Sequence, residues 1–211
     1  MTTMPPSLRL AELLAARLCH EMAGQLGTAI GLVELAEETH DSEALATARD
    51  ATLRLGQRLR LLRAAWAADP APLSPRVLEA LAEGLPSRAQ IKLDITNLMP
   101  VPEFSPDAGR VVLNLLLLGA EALPAGGTIS LSGAANREVL LRISGARAAW
   151  PSTLPRYLLD PSAIWTNLTE LRTLQVSLTV LLATQAGHRL SLLMPMTSGS
   201  DTPAPILLQL G

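Results

Sequence analysis

His20 and Glu21 are the residue pair with the clearest chemical potential, near the middle of a long amphipathic segment. Apolar residues recur there every three or four positions, which is the spacing of an α-helix. They are Ala11, Ala15, Leu18, Met22, Leu26, Ala29, Val33 and Ala36. At about 100° per residue, His20 projects roughly 150° away from the centre of this stripe, toward solvent or a partner. The carboxylate that follows is placed to orient the imidazole or to accept its proton. His20 is therefore a candidate phosphate acceptor.

Three glycines, Gly24, Gly27 and Gly31, share the helix face of His20. Each glycine costs a helix interior about 1 kcal/mol relative to alanine, so three on one face indicate close approach by another segment. The residues alone leave two interpretations open: docking of a partner helix, or tight helix–helix packing inside a bundle. Cys19 lies nearer to the apolar stripe, and we expect it to be a small core residue.

Length and composition limit the classes of protein to which the chain belongs. Its 211 residues suffice for one large or two small domains, and only 2% of them are aromatic, so aliphatic side chains must build the core. A net charge of −2, without a basic patch, argues against nucleic-acid binding. The single cysteine excludes an internal disulfide. With no signal-peptide pattern and no apolar run long enough to span a bilayer, the sequence predicts a cytoplasmic protein without membrane contact.

Two long helices are predicted at the start of the chain. The first extends from a Ser7 cap to about Glu38, and the second begins at an Asp41 or Ser42 cap and ends before Pro70. Because the connection is short, the two helices must be antiparallel. An isolated hairpin leaves much of its apolar surface in water. We therefore expect a homodimer in which two hairpins form a four-helix bundle.

The pattern then changes to shorter helices and alternating strands. The predicted helices are 74–85, 105–123 and 168–186, and the predicted strands are 91–95, 128–132, 138–144, 188–194 and 206–210. Gly187 ends the last helix in the left-handed conformation. The order predicts an α+β layer with helices on one face of a mainly antiparallel sheet. We accordingly divide the chain into a helical domain, residues 1–70, and an α/β domain, residues 71–211.

This two-part order resembles the core of bacterial sensor histidine kinases, in which a dimeric hairpin with an H-box histidine precedes a Bergerat-type ATPase domain. The segment from Asn114 to Gly127 resembles the kinase N-box helix and its Gly-Gly exit. In kinases a second asparagine helps to hold Mg²⁺, but Leu118 stands at that position, and a leucine cannot coordinate a hard cation. The aspartate of the adenine-binding motif is also missing, because the chain has Gly145 there.

A phosphoacceptor histidine combined with an altered nucleotide site closely resembles the ChpT-like histidine phosphotransferases over nearly the whole chain. The most specific stretches are 14–21, 34–35, 60–66 and 143–147. The chain departs from the family pattern at Gly24-Gln25, where Ser-Pro is common, and at Ala146, which replaces a proline. The fold implied by this resemblance is an antiparallel helical hairpin, forming a dimeric four-helix bundle, followed by a degenerate Bergerat/histidine-kinase-ATPase-like α/β sandwich.

The function implied by the resemblance is that of a phosphorelay protein. His20 would accept a phosphoryl group from the aspartate of one response-regulator receiver, such as that of a hybrid histidine kinase, and pass it to another. The receiver would supply Mg²⁺, and the protein itself would need no cofactor and no metal. Glu21 would hold the imidazole and take up the proton on Nδ1. The partner-binding face would consist of Ala16, Arg17, Ala23, Gly24, Gly27 and Gly31.

Arg60 and Arg63 are further candidates for the partner-binding set. They would steer the acidic phosphorylation pocket of a receiver, or alternatively only interact with the dipole at the end of their helix. Two rival functions remain open: an active kinase with an unusual nucleotide site, and a catalytically silent dimeric scaffold that docks receivers. A metal site is disfavoured because His20, His40 and His188 share no ligand spacing.

Overall fold

Two long antiparallel helices begin the computed structural model, which describes residues 5–86, 91–99, 103–168, 170–193 and 202–211. Helix α1 spans Pro6–Thr39 and α2 spans Ser42–Ala65. Pro5 takes the N-cap position of α1 without a side-chain hydrogen bond, so the predicted Ser7 cap is wrong. A proline at the first helical position, here Pro6, needs no donor partner. The Asp41 cap of α2 is confirmed, since its Oδ1 accepts a hydrogen bond from the Glu43 N–H at 2.8 Å.

The second part of the chain combines short helices with a five-stranded sheet. Its helices are α3 (Pro75–Ala82), α4 (Pro106–Glu121), α5 (Leu154–Leu159), α6 (Ala163–Thr166) and α7 (Leu174–Gln185). Its strands are β1 (Ile91–Met99), β2 (Gly127–Ala134), β3 (Glu138–Ser144), β4 (Arg189–Leu192) and β5 (Ile206–Gln209). The strand order is β1-β2-β3-β5-β4. Only the β1–β2 pair is parallel among the described strands, so the sheet is mixed and mainly antiparallel, as predicted.

The helices after β3 differ from the prediction. After β3 the chain enters a segment with prolines at positions 151, 155 and 161. This segment contains α5 and α6, which are both too short to show a helical period in the sequence. The helix predicted from residue 168 begins only at Leu174, after a 3₁₀ turn over Leu171–Thr173. Its predicted end is confirmed, since Gly187 has a φ of 72°.

Helices α4 and α7 build the core together with the sheet. Every residue of α4 from Val111 to Ala120 is buried. One polar side chain in this helix, Asn114, is fully buried and donates hydrogen bonds to the carbonyls of Ala65, at 2.7 Å, and Arg110, at 2.9 Å. Gln175 of α7 donates to the Asn114 Oδ1 at 3.1 Å. Asn114 therefore ties the end of α2 and the start of α7 to α4.

The helical hairpin rests on this core over only part of its length. Leu10, Leu14, Leu18 and Met22 of α1 pack against the core. Farther along the hairpin, Leu26 is 50% and Leu45 is 56% exposed. Cys19 is also exposed, so the prediction that it is a core residue is wrong. It lies about 100° around the helix from Leu18, which takes the core contact instead.

A membrane-spanning helix must be both long and apolar, and α1, at 34 residues, is the longest helix of the described ranges. None of the helices found there is long and apolar enough to cross a bilayer.

Candidate phosphoacceptor site

His20 lies in the first half of α1 and is exposed to solvent, as the position of the apolar stripe predicts. The long helix that carries it is held by the core contacts of Leu18 on one side of it and Met22 on the other. The imidazole of His20 therefore projects from a helical turn that is held by packing against the core. The acceptor role of His20 stays a prediction at this stage.

Glu21 points to the second helix of the hairpin. Its Oε1 accepts a hydrogen bond from the Nε of Arg58 of α2 at 2.8 Å, and the Arg58 Nη2 lies 2.6 Å from the same oxygen in an ion pair. Its Oε2 is buried and has no hydrogen-bond partner among the described residues. One carboxylate oxygen of Glu21 is thus bound by Arg58. The predicted contact of Glu21 with the imidazole is not among the hydrogen bonds of the described residues, and its role in proton transfer stays a prediction.

Arg58 was not identified as a functional candidate from the sequence, although a signal was present. It lies within a series of helix positions spaced by three or four residues. The other members are Ala44, Ala48, Ala51, Leu55, Leu62 and Ala65. An arginine at an otherwise apolar position of a helix needs a buried partner. Arg58 is only 4% exposed. Burial lowers the pKa of Arg58, and the neighbouring Glu21 carboxylate opposes that shift.

The end of α3 closes on α2 at the level of Arg58. The Arg58 Nη1 donates to the carbonyl of Gly84 at 3.3 Å, and the Gln57 Nε2 donates to the Glu83 Oε2 at 2.9 Å. A Cβ atom at Gly84 would lie 2.4 Å from the Gln57 carbonyl oxygen. Such a distance is too short for any side chain, so glycine allows the two backbones to meet. We call these four residues, 57, 58, 83 and 84, the α2–α3 clasp.

Arg17 lies one turn before Glu21 on α1 and is paired with the α/β part. Its Nη2 donates to the Oε1 of Glu121, at the end of α4. The Arg17 and Glu121 side chains are 17% and 28% exposed. Burial raises the pKa of Glu121, and Arg17 opposes that shift. The predicted partner contact of Arg17 stays a prediction, and a partner would have to share this guanidinium with Glu121.

The remaining residues predicted for the partner-binding face of α1 are all exposed. These are Ala16, Ala23, Gly24, Gly27 and Gly31. A Cβ atom built at each of the three glycines would meet no other described atom within 4 Å, with the helix's own nearby backbone left aside. Packing against another segment of the described chain therefore does not explain these glycines. Docking of a partner at these glycines stays a prediction.

Arg60 and Arg63 lie on a different side of α2 from Arg58. At about 100° per residue, they point roughly 140–160° away from Arg58 and so away from Glu21. Both line a cleft of about 360 Å³ between the end of α2 and the start of α4. Arg110 lines the same cleft. The structure therefore separates these two arginines from the Glu21 side of the hairpin, and their steering role stays a prediction.

Comparison with known proteins identifies the family. The model of a family described as the histidine phosphotransferase C-terminal domain matches residues 75–197. The chain belongs to this family. The protein phosphotransferase ChpT of Brucella abortus (strain 2308) is 25% identical, over 88% of this chain and 90% of its own length. A solved structure of a bacterial phosphotransferase, 22% identical, has the same fold with a TM-score of 0.73 over 99% of this chain and 98% of that chain. The predicted resemblance to ChpT-like proteins is confirmed.

By the resemblance, histidine kinases carry nucleotide-binding side chains at two positions of this fold. In this histidine phosphotransferase, the residues at these positions are packed against the chain's own core or backbone. Leu118 is fully buried in the core. A Cβ atom at Gly145 would lie 2.2 Å from the Gly126 carbonyl oxygen. Gly126 and Gly127 have φ values of 84° and 148°, which side chains disfavour, so this turn depends on glycine. An aspartate at position 145 would require the turn to move.

Proposed function

We propose that this protein is a phosphorelay intermediate that carries a phosphoryl group on His20 between the aspartates of two receiver domains. The single observation that supports this most is the exposed imidazole on α1, beside a helix face that no described residue covers. Transfer in line requires reacting atoms to come within about 3–3.5 Å, so the acceptor must be reachable by a whole partner domain. His20 meets this requirement.

The transfer on His20 is a displacement at phosphorus. The lone pair of the imidazole Nε2 forms the N–P bond while the acyl P–O bond of the aspartyl phosphate breaks. The receiver aspartate leaves as a carboxylate, and the Mg²⁺ of the receiver neutralises charge on the phosphoryl oxygens. The Nδ1 keeps its proton during the attack, so the phosphorylated ring carries a positive charge. Passage to the second receiver is the reverse reaction with a different aspartate.

Glu21 supports this proposal through the charge it holds next to His20. Because Arg58 binds Oε1, the second oxygen, Oε2, is the one without a partner among the described residues. In the proposed mechanism, the Nδ1–H of His20 donates to this oxygen during the transfer. Such a bond fixes the tautomer in which Nε2 is the nucleophile and stabilises the cationic product.

The partner-binding face of α1 gives the receiver a place to dock. Apart from Arg17, its residues, Ala16, Ala23, Gly24, Gly27 and Gly31, have at most one methyl group in their side chains, so a helix of the receiver could approach the α1 backbone closely. The cleft lined by Arg60, Arg63 and Arg110 carries more positive than negative side chains, and electrostatic steering by it would act on the rate of encounter.

A homodimer is the second part of the proposal. Helix α1 exposes Leu26, Ile30 and Val33, and α2 exposes Leu45 and Leu53. Full burial of a fully exposed side chain of this type stabilises by about 1.5–3 kcal/mol. These side chains are about half exposed, so each would contribute a part of that when a second copy of the hairpin buries it. We expect a mass in light scattering of twice the 22.4 kDa chain. A monomeric mass at micromolar concentration would contradict the four-helix bundle.

ATP binding is not part of the proposed function. The supporting observations are the burial of Leu118 and the contact of Gly145 with Gly126. Binding of labelled ATP, or incorporation of label from it by the pure protein, would instead favour an active kinase.

The deciding experiment is incubation of the protein with a receiver domain that carries labelled aspartyl phosphate. We expect label on this chain that is labile in acid and stable in base, as phosphohistidine is. Addition of a second, unphosphorylated receiver should remove that label. A chain that binds the receiver but acquires no label would be a docking scaffold, and the proposal would fail.

A further inference from the structure

We infer that Arg58 is a positioning residue for the reaction at His20, and that through Arg58 the α/β part of the chain holds the reactive turn of α1. The inference rests on the proposed function, because it concerns the rate of phosphotransfer. It assigns a role to a residue that lies 37 positions from Glu21 in the sequence. It also gives the α/β part a task that requires no ligand.

The first step is the geometry around Glu21. The Arg58 Nε donates to Oε1 at 2.8 Å and the Arg58 Nη2 lies 2.6 Å from the same oxygen, so the guanidinium holds this side of the carboxylate. The Arg58 side chain is 5% exposed and that of Glu21 is 23% exposed. A charge pair shielded in this way keeps its geometry better than a surface pair, which water and ions screen. Glu21 is thus a fixed negative charge next to the acceptor.

The second step is the anchoring of Arg58 itself. The third nitrogen of its guanidinium, Nη1, donates to the carbonyl of Gly84. In the α2–α3 clasp, the backbone of Gly84 lies directly against the α2 backbone at Gln57. A guanidinium has the fork geometry to bind a carboxylate and a carbonyl at once, whereas a lysine ammonium is a point charge on a flexible chain. The position of the Glu21 carboxylate is therefore set from the α/β part.

The third step is the contact on the other side of His20. Arg17, three residues before the histidine, is paired with Glu121 of α4. The turn from residue 17 to residue 21 is consequently held at both ends, by Glu121 through Arg17 and by Gly84 through Arg58. His20 is the exposed side chain between these two attachments. These two attachments restrict the movement of His20 when a receiver docks.

The experiment measures single-turnover transfer from a phosphorylated receiver to the full-length protein, as a function of receiver concentration. We expect Arg58→Met to lower the saturating rate by at least about tenfold, with the half-saturating concentration unchanged, because misplaced reacting groups slow the chemical step. Arg58→Lys should recover only part of the rate. Arg54→Met, an exposed arginine one turn earlier on α2, is the matched control and should transfer as the wild type does.

A double-mutant cycle separates positioning from a general loss of structure. If Arg58 acts through Glu21, the variant Glu21→Gln with Arg58→Met should be no slower than Glu21→Gln alone. The paired variant also leaves no buried carboxylate without its partner, so it reports on the inference even if Arg58→Met alone fails to fold. Thermal melts accompany each variant.

Three results would overturn the inference: a wild-type saturating rate for Arg58→Met, a wild-type rate for Glu21→Gln, or losses that multiply in the paired variant. A rise in the half-saturating concentration alone would assign Arg58 to docking and would also overturn it. Failure of the wild-type chain to accept label is a different outcome, because it contradicts the proposed function itself.

Discussion

The face of α1 around His20 and the turn around Gly145 both resemble motifs of histidine kinases, but their surroundings in the structure are opposite. Beside His20, a Cβ atom at Gly27 would meet no other described atom within 4 Å. At Gly145, a Cβ atom would lie 2.2 Å from a backbone oxygen. The first region is open to a second molecule, whereas the second is closed by the chain's own packing. This contrast supports the proposal that the reactive surface lies on the hairpin and that the α/β part supports it.

The strongest test of the open region is removal of the acceptor. We expect His20→Ala to abolish label transfer from a phosphorylated receiver, because the imidazole supplies the nucleophile. Since His20 is exposed, the variant should keep the fold and the thermal melt of the wild type. The control is His40→Asn at the end of α1, where φ is 54° and asparagine tolerates this conformation. Label on the His20→Ala variant, or its loss in the control, would move the acceptor away from His20.

A test of the closed region restores the kinase residue at position 118. We expect Leu118→Asn to lower the free energy of unfolding by about 3 kcal/mol, because it buries an unpaired amide and removes apolar contacts. It should not create ATP binding. Leu159→Asn is the matched control, since this leucine is 88% exposed and should leave the midpoint of denaturant unfolding unchanged. Measurable ATP affinity in the Leu118→Asn variant, without loss of stability, would show that the region is not closed.

Glycine substitutions compare the two environments directly. Gly84→Ala should destabilise the protein by about 1–3 kcal/mol, because the added methyl group meets the Gln57 carbonyl at 2.4 Å. Gly27→Leu should instead raise the midpoint of a thermal melt slightly, since leucine favours a helix by up to about 1 kcal/mol over glycine. The Gly27→Leu variant should nevertheless bind a receiver less tightly, as titration calorimetry can measure. Early melting of this variant would show that the glycine face is packed in the dimer.

The sequence predicted most of what local chemistry determines. The cap at Asp41 and the left-handed Gly187 are set by neighbouring residues, and both are confirmed. The exposure of His20 follows from helical periodicity alone. What the sequence could not supply is tertiary: the pairing of Glu21 with Arg58 brings together two helices whose relative rotation no local pattern fixes. The error at Cys19 has the same origin, because the core touches only one side of α1.

The two short helices α5 and α6 show a different limit. They follow proline-rich sequence and comprise 6 and 4 residues, fewer than the periodicity of a helix needs to become visible. Arg58, by contrast, was predictable in principle. Its three- and four-residue spacing from Leu55 and Leu62 marks it as a buried position, and a buried arginine indicates an acidic partner on the facing helix. On the facing helix, α1, the acidic residue next to the candidate acceptor His20 is Glu21.

The smallest expected effect concerns pH and His188, which precedes β4 at the end of the sheet opposite to Gly145. Burial lowers the pKa of His188 below its ordinary value, while Asp107 opposes the shift. Its neutral Nδ1 accepts a hydrogen bond from the N–H of Gly211 at 3.2 Å, and its Nε2 is buried without a partner among the described residues. Because burial lowers the pKa of His188 in the folded protein, the neutral imidazole favours folding. Its contribution to stability is fully present above the ordinary histidine pKa and is lost as the pH falls through the folded pKa.

We therefore expect the free energy of unfolding to decrease by a few tenths of a kcal/mol between about pH 7.5 and pH 5.5, since His188 is only partly buried. His188→Gln should remove that part of the pH dependence, because a glutamine accepts no proton in this range. His40→Asn, at an exposed position, should keep it. Urea unfolding of the three proteins at both pH values measures the difference. An identical pH slope for the wild type and the His188→Gln variant would show that protonation of His188 does not destabilise the folded protein.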